Sequence, residues 1–332
     1  MNAAPEIERA WDEPLNPAGV IDHPTGFLAL SPRNTRFMGS GSDFVAYREY
    51  GRHLFALGGV HAPGGTRAGL LDRFIAHAQA RRRRLMFIQV RESQVPLFRS
   101  RGFTVNQFGT SFTLTLSRFS LGGGPKMQLR NKISRARKAG LRAVELGREA
   151  PRDRAMFDRL HEVSTAWLEG KGKQELDFMI GEIGDVEDGR RRIFVTVDGA
   201  GTLLGFITYV PVWGERPGYL HDLTRRSPLA PPGTMELCNV TAMERMMAEG
   251  VPFLHFGFTP FVVDGPEPPG ANRLVAWAVR RLYRWGGTIY PAASQSRYKL
   301  KWGPDILERE YLAARPLSAR ALVDFLLLTR SL

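Results

Sequence analysis

The fold class of the chain follows from residues 66–90, which read TRAGLLDRFIAHAQARRRRLMFIQV. Residues 66–84 have helical spacing, because apolar side chains recur on one face at Leu70, Leu71, Phe74, Ile75 and Ala78. Four arginines, residues 81–84, close this helix, where positive charge complements the helix dipole. The apolar run 85–90 then predicts a buried strand. A helix followed at once by a buried strand predicts an α/β fold, with helices on the faces of a mixed sheet.

The same pattern continues on both sides of this unit. Apolar runs predict strands at residues 27–30, 44–47, 54–57 and 112–116, and a short helix at 95–101. The second half of the chain repeats the order, with helices predicted at 152–168, 233–249 and 271–285 and strands at 193–197, 203–210, 219–223, 253–257 and 310–313. The halves are alike in element order and not in sequence. We therefore predict two α/β lobes in tandem.

The domain boundaries are predicted from breaks in this pattern. A chain of 332 residues is long for one core. The glycine-rich segment 121–125 interrupts the strands, and a basic helix follows at residues 126–139. We expect a flexible lead at residues 1–20, a first lobe at 21–120, a basic helical bridge at 121–150 and a second lobe at 151–332. The apolar stretch 317–332 packs in the core or, alternatively, attaches to a membrane surface.

Composition limits the class of protein. The net charge of +13 indicates a polyanionic partner, either nucleic acid or an anionic membrane, or simply an arginine-rich composition. The single cysteine, Cys238, excludes an internal disulfide and a cysteine-based metal cluster. The sequence has no apolar run of transmembrane length and no signal-peptide layout in residues 1–17. We expect a cytoplasmic protein, in solution or peripheral to the inner membrane surface, with no metal and no cofactor.

The segment HDLTRRSP, residues 221–228, is the strongest candidate for chemistry. It lies at the end of a predicted strand and before a predicted helix, where open α/β sheets bind ligands. Asp222 offers a base, and Arg225 and Arg226 offer two anion clamps. The alternative is a surface loop with an internal ion pair.

Two further segments carry candidate side chains. In PPGTMEL, residues 231–237, Gly233 or Thr234 caps a helix and Glu236 lies in its first turn, where it favours capping unless it holds an amine. In SRYKLKWGP, residues 296–304, we expect Lys299 and Lys301 to share one face of a strand beside Trp302, which suits phosphate and base contacts. A solvated edge strand is the alternative.

The basic helix at residues 126–139 carries charges that we expect all round its surface. Such a helix tracks a polyanion or is simply solvated. The candidate anion-binding residues are Lys126, Arg130, Lys132, Arg135 and Lys138. The sequence lacks a Walker loop, a His-Glu-x-x-His motif, a Gly-x-Ser-x-Gly motif and a convincing acetyl-CoA phosphate loop.

Taken in order, six segments resemble the C-terminal catalytic domain of bacterial phosphatidylglycerol lysyltransferases. Residues 222–226, DLTRR, are similar to the family's Asp-Leu-Met-Arg-Arg, and residues 231–236 to its proline loop followed by Gly-x-Met-Asp/Glu. Residues 255–261, HFGFTPF with Gly257, are similar to Asn-Leu-Gly-Met-Ala-Pro-Leu. The remaining similarities are residues 298–304 with 311–313, to Phe-Lys-x-Lys-Phe-x-Pro and Tyr-Leu-Ala; residues 119–132, to Phe-x-Leu-x-Gly and Leu-Arg-Asn; and residues 167–178, which include Glu175, to Trp-Leu and Glu-x-x-Phe.

The resemblance implies two acetyltransferase-like lobes, an aminoacyl-tRNA as co-substrate and donor, and a hydroxyl of phosphatidylglycerol as acceptor. It covers the family's catalytic domain and not its membrane-spanning flippase domain, so we expect a soluble form. The catalytic residues expected on this basis are Asp222, Arg225, Lys299 and Lys301. The substrate-binding residues are Arg226, Glu236, Gly257, Trp302 and Glu175, and the tRNA-binding residues are those of the basic helix.

Other functions remain open at this point. Thr224 stands where the family has methionine, so the acceptor could also be another lipid or a small hydroxyl-bearing metabolite. An acyl-CoA-dependent N-acyltransferase has the same lobe architecture. A basic nucleic-acid- or membrane-binding protein without catalysis accounts for the charge alone.

Overall fold

The computed structural model describes residues 17–170, 178–179, 181–285 and 291–329, which form one eleven-stranded mixed sheet with helices on both faces. The strands are β1 (Thr35–Met38), β2 (Phe44–Tyr50), β3 (His53–Leu57), β4 (Arg84–Arg91), β5 (Thr104–Thr115), β6 (Arg142–Glu145), β7 (Arg192–Val197), β8 (Leu203–Val212), β9 (Gly218–Arg226), β10 (Phe253–Pro260) and β11 (Ile306–Arg315). The helices are α1 (Pro17–Val20), α2 (Gly26–Ala29), α3 (Gly64–Ala80), α4 (Val95–Arg99), α5 (Met127–Lys138), α6 (Arg154–Glu169), α7 (Thr234–Ala248), α8 (Arg273–Trp285), α9 (Ala292–Leu300) and α10 (Ala319–Leu328). The predicted mixed α/β class is confirmed.

The strand order is β1-β2-β3-β4-β11-β5-β10-β9-β8-β7-β6. Two neighbouring pairs run parallel, β3 with β4 and β9 with β10. Each parallel pair is joined by a helix, α3 in the first half and α7 in the second. The two halves therefore repeat one strand–helix–strand unit, as the sequence predicts.

The helix–strand unit of residues 66–90 shows why the sheet is covered on both faces. The five apolar residues predicted to line one face of α3 are all buried. Successive residues of β3 point to opposite faces. Leu54 and Ala56 pack against the α3 side, whereas Phe55 and Leu57 pack with Phe325 of α10 on the other.

Strand β11 is inserted into the first half of the sheet, and the pairing of β5 with β10 joins the two halves. Strand β11 pairs antiparallel with β4, for example Ala313 with Phe87, and with β5, for example Ala313 with Val105. A C-terminal strand thus lies between two strands of the first half. The boundaries at residues 20, 120 and 150 stay predictions, and residues 1–16 of the expected lead lie outside the described part.

Two predicted strands are wrong. Residues 27–30 fall in helix α2 and the residue that caps it, because a short apolar run that is buried on all sides does not distinguish helix from strand. Residues 296–300 lie in helix α9 rather than in a strand. Alanine, glutamine, arginine and lysine favour a helix, and the segment has no β-branched residue to favour a strand. Lys299 and Lys301 therefore do not share a strand face; Lys301 follows the last helical residue.

Several boundaries also differ from the predictions; β5, for example, begins at Thr104 and not at residue 112. Helix α3 ends at Ala80, and Arg84 already opens β4. Strand β9 runs to Arg226, so Thr224, Arg225 and Arg226 belong to the strand and not to a loop after it. Helix α10 packs Ala321 and Phe325 into the core, as expected of the C-terminal stretch. Within the described ranges, no helix has the length and apolar character needed to cross a bilayer.

Candidate functional site

The second parallel strand pair separates after a short stretch of pairing. Strands β9 and β10 pair at three positions only, the last between His255 and Leu220. Beyond this point β9 stays with β8 and β10 stays with β5. A register shift in β10 ends at Gly257, which has a φ of 70° and whose added Cβ would lie 2.9 Å from Leu220. The divergence leaves β10 without a strand partner on the β9 side from Gly257 onward, while its pairing with β5 continues.

Lys299, near the end of α9, fills the gap between the two strands. Its Nζ donates to the carbonyl oxygens of Gly257 at 2.9 Å and Phe258 at 2.8 Å. Burial lowers the pKa of Lys299 to about 7, although Glu310 opposes this shift. The protein thus holds an amine that changes its charge near neutral pH, at the carboxyl end of a parallel strand pair.

Aromatic side chains lie beside the two lysines: the Phe112 ring centre is 5.7 Å from Lys299 Nζ, and the Tyr298 ring centre is 3.9 Å from Lys301 Nζ. The His221 ring stacks on Tyr209 with centroids 5.5 Å apart and lies 6.1 Å from the ring of Tyr298. Trp302 is fully buried and stacks on Phe256. Burial, together with Lys299 and Lys301, lowers the pKa of His221 to about 3, so its imidazole is neutral at physiological pH. The neutral ring shares a hydrogen bond of 2.8 Å between Nε2 and the Thr224 hydroxyl.

A second lysine is paired with Glu236 in the first turn of α7. Glu236 Oε1 accepts from Lys301 Nζ at 3.0 Å and from Lys132 Nζ of α5 at 3.2 Å. Burial pushes the pKa of Glu236 upward, but the two ammonium groups lower it overall. Glu236 does not cap α7, which begins after Gly233 without a side-chain cap. It pairs instead with two lysines of the chain, and a bound amine at this position stays a prediction.

We call these side chains the lysine cluster: His221, Glu236, Tyr298, Lys299, Lys301 and Trp302. Sequence reasoning assigned no role to His221 or Tyr298, although both lie directly beside assigned residues. Their positions in the sequence could have identified them as candidates, because His221 precedes Asp222 and Tyr298 precedes Lys299.

Asp222 lies on the opposite face of β9 from His221. Two residues of β9, Asp222 and Leu223, oppose Thr208 alone in β8, which forms a β-bulge. Asp222 Oδ2 accepts from Arg191 Nη1 at 2.7 Å, and both side chains are almost completely buried. Burial raises the pKa of Asp222 to about 6, against the opposing effect of Arg191. Sequence reasoning missed Arg191, which is hidden in a run of three arginines.

Arg225 also faces away from the lysine cluster. Arg225 is buried, donates to the Ser164 hydroxyl of α6 at 3.1 Å and lies 4.5 Å from the Trp167 ring centre. Arg226 is exposed at the end of β9. Glu175 lies outside the described residues. The structure therefore brings Lys299, Lys301, Glu236, Gly257 and Trp302 together, and holds Asp222 and Arg225 on the α6 side of the same strand.

Helix α5 connects the lysine cluster to the surface. Leu129, Ile133 and Ala136 are buried, so the charges cover an outer face and not the whole circumference that we expected. Lys132 contacts Glu236, and Lys126 Nζ lies 4.4 Å from the Phe119 ring centre. Arg130 donates to the Gly123 carbonyl at 2.7 Å. Arg135 and Lys138 are exposed, and Lys138 lines a groove of about 430 Å³.

The described part of the chain shows no group of three or more histidine, cysteine, aspartate or glutamate side chains placed to hold a metal ion. The side chains that this site does offer are a buried amine, a carboxylate in an ion pair and a basic approach surface.

Comparisons with known proteins agree with this architecture. The structure of L-PGS from Bacillus licheniformis superposes with a TM-score of 0.75 at 20% identity, over 94% of this chain and 93% of that one. The C-terminal domain (DUF2156) of a putative lysylphosphatidylglycerol synthetase from Agrobacterium fabrum gives a TM-score of 0.77 at 21% identity, over 93% of each chain. These likenesses confirm the predicted fold.

Curated relatives are similar in sequence. A protein named lysylphosphatidylglycerol biosynthesis bifunctional protein LysX from Mycobacterium avium is 31% identical over 218 residues, which are 62% of this chain. The chain spans only 18% of the length of that relative. The family described as phosphatidylglycerol lysyltransferase, C-terminal, matches residues 16–314. The chain therefore belongs to the phosphatidylglycerol lysyltransferase C-terminal domain family.

Proposed function

We propose that this chain transfers an amino acid from an aminoacyl-tRNA to a hydroxyl of phosphatidylglycerol or of a related lipid. Membership of the family and the names of the LysX relatives support this reaction class. The observation that carries the proposal is the buried Lys299, with a lowered pKa, where β9 and β10 diverge beside the basic helix α5.

The reaction needs no redox step and no external energy. The acceptor oxygen attacks the ester carbonyl carbon, a new ester bond forms, and the bond to the tRNA ribose oxygen breaks. The proton of the acceptor hydroxyl ends on that ribose oxygen. Because one ester replaces another, positioning and stabilisation of the oxyanion supply most of the rate.

The lysine cluster is suited to stabilise the oxyanion. Lys299 presents its ammonium in a site that excludes water, where a hydrogen bond to a developing negative charge is strongest. Glu236 holds Lys301 and Lys132 in place. The neutral His221 ring adds no competing charge.

Because Asp222 lies on the opposite face of β9 from Lys299, we propose that it orients the attacking hydroxyl through the strand; a direct role as base requires the acceptor to reach the α6 side of β9. With a pKa of about 6 its carboxylate is mostly ionised at neutral pH. Its ion pair with Arg191 fixes the carboxylate at the bulge next to His221. We also propose that Arg225 and Arg226 bind a phosphate group of the substrate. Of these two side chains, Arg226 is exposed.

We propose that Arg135 and Lys138 of α5 bind the tRNA backbone. Arg135 and Lys138 face solvent, and Lys132 of the same helix reaches the lysine cluster. A tRNA bound along α5 therefore brings its aminoacylated end to the cluster.

The test is to incubate the purified chain with radiolabelled aminoacyl-tRNAs and phosphatidylglycerol vesicles, with and without ribonuclease. The proposal predicts ribonuclease-sensitive movement of label into the organic phase. Label that leaves tRNA only when host metabolites are added would move the acceptor to a soluble molecule. If no label moves, and acetyl-CoA binds instead, an acyl-CoA-dependent activity replaces this one.

A further inference from the structure

Helix α8 has an outer face that combines cations with large apolar side chains. Leu274 is 77% exposed and Trp277 is 61% exposed. The cations Arg273, Arg280, Arg281 and Arg284 are exposed on the same helix. Residues 273–285 contain no acidic residue.

The inner face of α8 is firmly packed. Val275 and Val279 are buried in the cluster that also contains Phe108 and Phe261. The outward position of Trp277 is therefore fixed by the fold and is not a loose helix end. The guanidinium of Arg281, one turn further on, lies 5.6 Å from the Trp277 ring centre.

A groove of about 580 Å³ runs along this face, and its walls include all four arginines. Glu267, at one end of the groove, is engaged elsewhere, because its Oε2 accepts from the Gln107 backbone N–H at 3.0 Å. The groove is therefore strongly cationic, which matches phosphate groups.

Helix α5 shows what distinguishes a lipid surface from a nucleic-acid surface. Its exposed side is polar and basic except for Met127, which is 53% exposed at its first position. Cations alone are sufficient to bind a phosphate backbone. A bilayer surface offers phosphates and, just below them, an apolar boundary. Inserting tryptophan and leucine side chains at this boundary lowers the free energy of binding. Helix α8 matches both layers.

We propose that α8 docks the chain on an anionic bilayer, with its arginines at lipid phosphates and Leu274 and Trp277 at the boundary between headgroups and acyl chains. This inference rests on the proposed function and names the surface through which the lipid acceptor is reached. Helix α8 packs against α9, which carries Lys299 into the site. The C-terminal helix α10, the membrane candidate in the sequence, buries Ala321 and Phe325, and its exposed apolar residues, Val323 at 42% and Leu327 at 39%, are less exposed than Leu274 and Trp277.

The test is sedimentation of the full chain with vesicles of phosphatidylcholine alone or mixed with phosphatidylglycerol, without aminoacyl-tRNA. We expect binding to the anionic vesicles only. The double variant Leu274→Ser/Trp277→Ser should bind roughly tenfold more weakly. The single variants Arg280→Gln, Arg281→Gln and Arg284→Gln should each bind the anionic vesicles about fivefold more weakly than the unchanged chain. The matched control Met127→Ser removes an exposed apolar side chain beside basic residues on α5 and should bind like the unchanged chain.

Unchanged vesicle binding in the double variant and in the arginine variants of α8 would overturn the proposal. So would α8 variants that lose affinity for tRNA while they keep affinity for vesicles, because the surface would then serve nucleic acid. Transfer to a water-soluble short-chain phosphatidylglycerol should persist in folded α8 variants. Absent transfer with intact vesicle binding contradicts the proposed function and leaves the docking surface standing, so the two failures are distinguishable.

Discussion

The two parallel strand pairs of this protein share one topology and differ in how far they stay together. Strands β3 and β4 pair at five positions, from His53 with Arg84 to Leu57 with Ile88. Strands β9 and β10 pair at three positions and then separate. The first pair packs apolar side chains on its α3 side and buries His61 and Gln89 at its carboxyl end. The second pair has Lys299, Tyr298 and His221 at its carboxyl end.

This difference shows how one unit can serve as scaffold or as site. Where a parallel pair remains joined, its backbone groups satisfy each other and the space between the strands is closed. Where it opens, carbonyl groups need another donor, and here a buried ammonium supplies it. We therefore place the chemistry in the second half of the molecule, and substitutions in the two halves should differ in their effects accordingly.

The largest effect is expected from Lys299→Met, which keeps the side-chain volume and removes the ammonium. If Lys299 stabilises the oxyanion, the transfer rate should fall by about 10³-fold, the upper range for one such donor. The measurement is single-turnover transfer of label from aminoacyl-tRNA to phosphatidylglycerol. Thermal unfolding separates misfolding from lost chemistry. Arg73→Gln on the exposed side of α3, in the first half, is the control and should change nothing. A Lys299→Met variant that is folded and fully active would remove the cluster from the mechanism.

Asp222→Asn should lower transfer by about 10²-fold, as expected for loss of a general base or of its orienting charge. Binding of tRNA, measured by filter retention, should be unchanged, because the Asp222 side chain is buried in its ion pair with Arg191. Retained transfer would refute the base role. Lost tRNA binding would instead show that this ion pair is needed for the fold.

Two glycine substitutions should change the stability of the protein in opposite directions. One lies in α3, which follows β3, and the other lies at the start of α7, which follows β9. Gly233 has a φ of 98°, and an added Cβ would lie 2.3 Å from the Lys132 carbonyl oxygen. Gly233→Ala should lower the free energy of unfolding by roughly 1–3 kcal/mol. Gly69 of α3 has open space around it, so Gly69→Ala should raise that free energy by about 0.5–1 kcal/mol. Denaturant unfolding measures both, and equal effects would contradict the close approach of α5 to α7.

The pH dependence of transfer should be bell-shaped. Asp222 must be ionised, so kcat/KM rises as pH increases through about 6. Lys299 must be protonated, so kcat/KM falls as pH increases through about 7, by about tenfold per unit. Lys299→Arg keeps its charge at all these pH values, and its remaining activity should lose the alkaline limb. A limb that persists in Lys299→Arg would assign that titration to another group.

The smallest effect is expected on α5. Arg135→Gln with Lys138→Gln should weaken tRNA binding and lower the slope of log affinity against log salt by about 1 for each phosphate that the variant no longer neutralises. Fluorescence titration at several salt concentrations measures this slope. The transfer rate at saturating tRNA should not change. An unaltered slope would exclude α5 as the tRNA surface.

The sequence predicts the strand–helix–strand unit well, because its buried residues form a regular apolar pattern along the chain. Residues 70–78 of α3 and the run 85–90 of β4 show the periodicity of their elements directly. The segments of the candidate site were also found, since DLTRR, PPGTMEL and YKLKWGP contain most of its side chains.

The arrangement of those segments could not be predicted. Strand alternation alone puts His221 and Asp222 on opposite faces of β9, but the faces of the residues after Asp222 depend on a bulge opposite Thr208, which has no local sequence signal. The divergence of β9 from β10 depends on tertiary packing of α9, a segment that local reasoning placed in a strand. Residues that are neighbours in sequence, His221 and Asp222, therefore serve different faces of the sheet.

The most direct test of the difference between the two parallel strand pairs is a structure of the chain with an amide-linked aminoacyl-adenosine. This analogue mimics the end of an aminoacyl-tRNA and does not react. We predict that the analogue lies where β9 and β10 diverge, with its aminoacyl carbonyl oxygen within hydrogen-bonding distance of Lys299 Nζ. An analogue bound beside β3 and β4, or bound in the second half away from Lys299, would contradict this prediction.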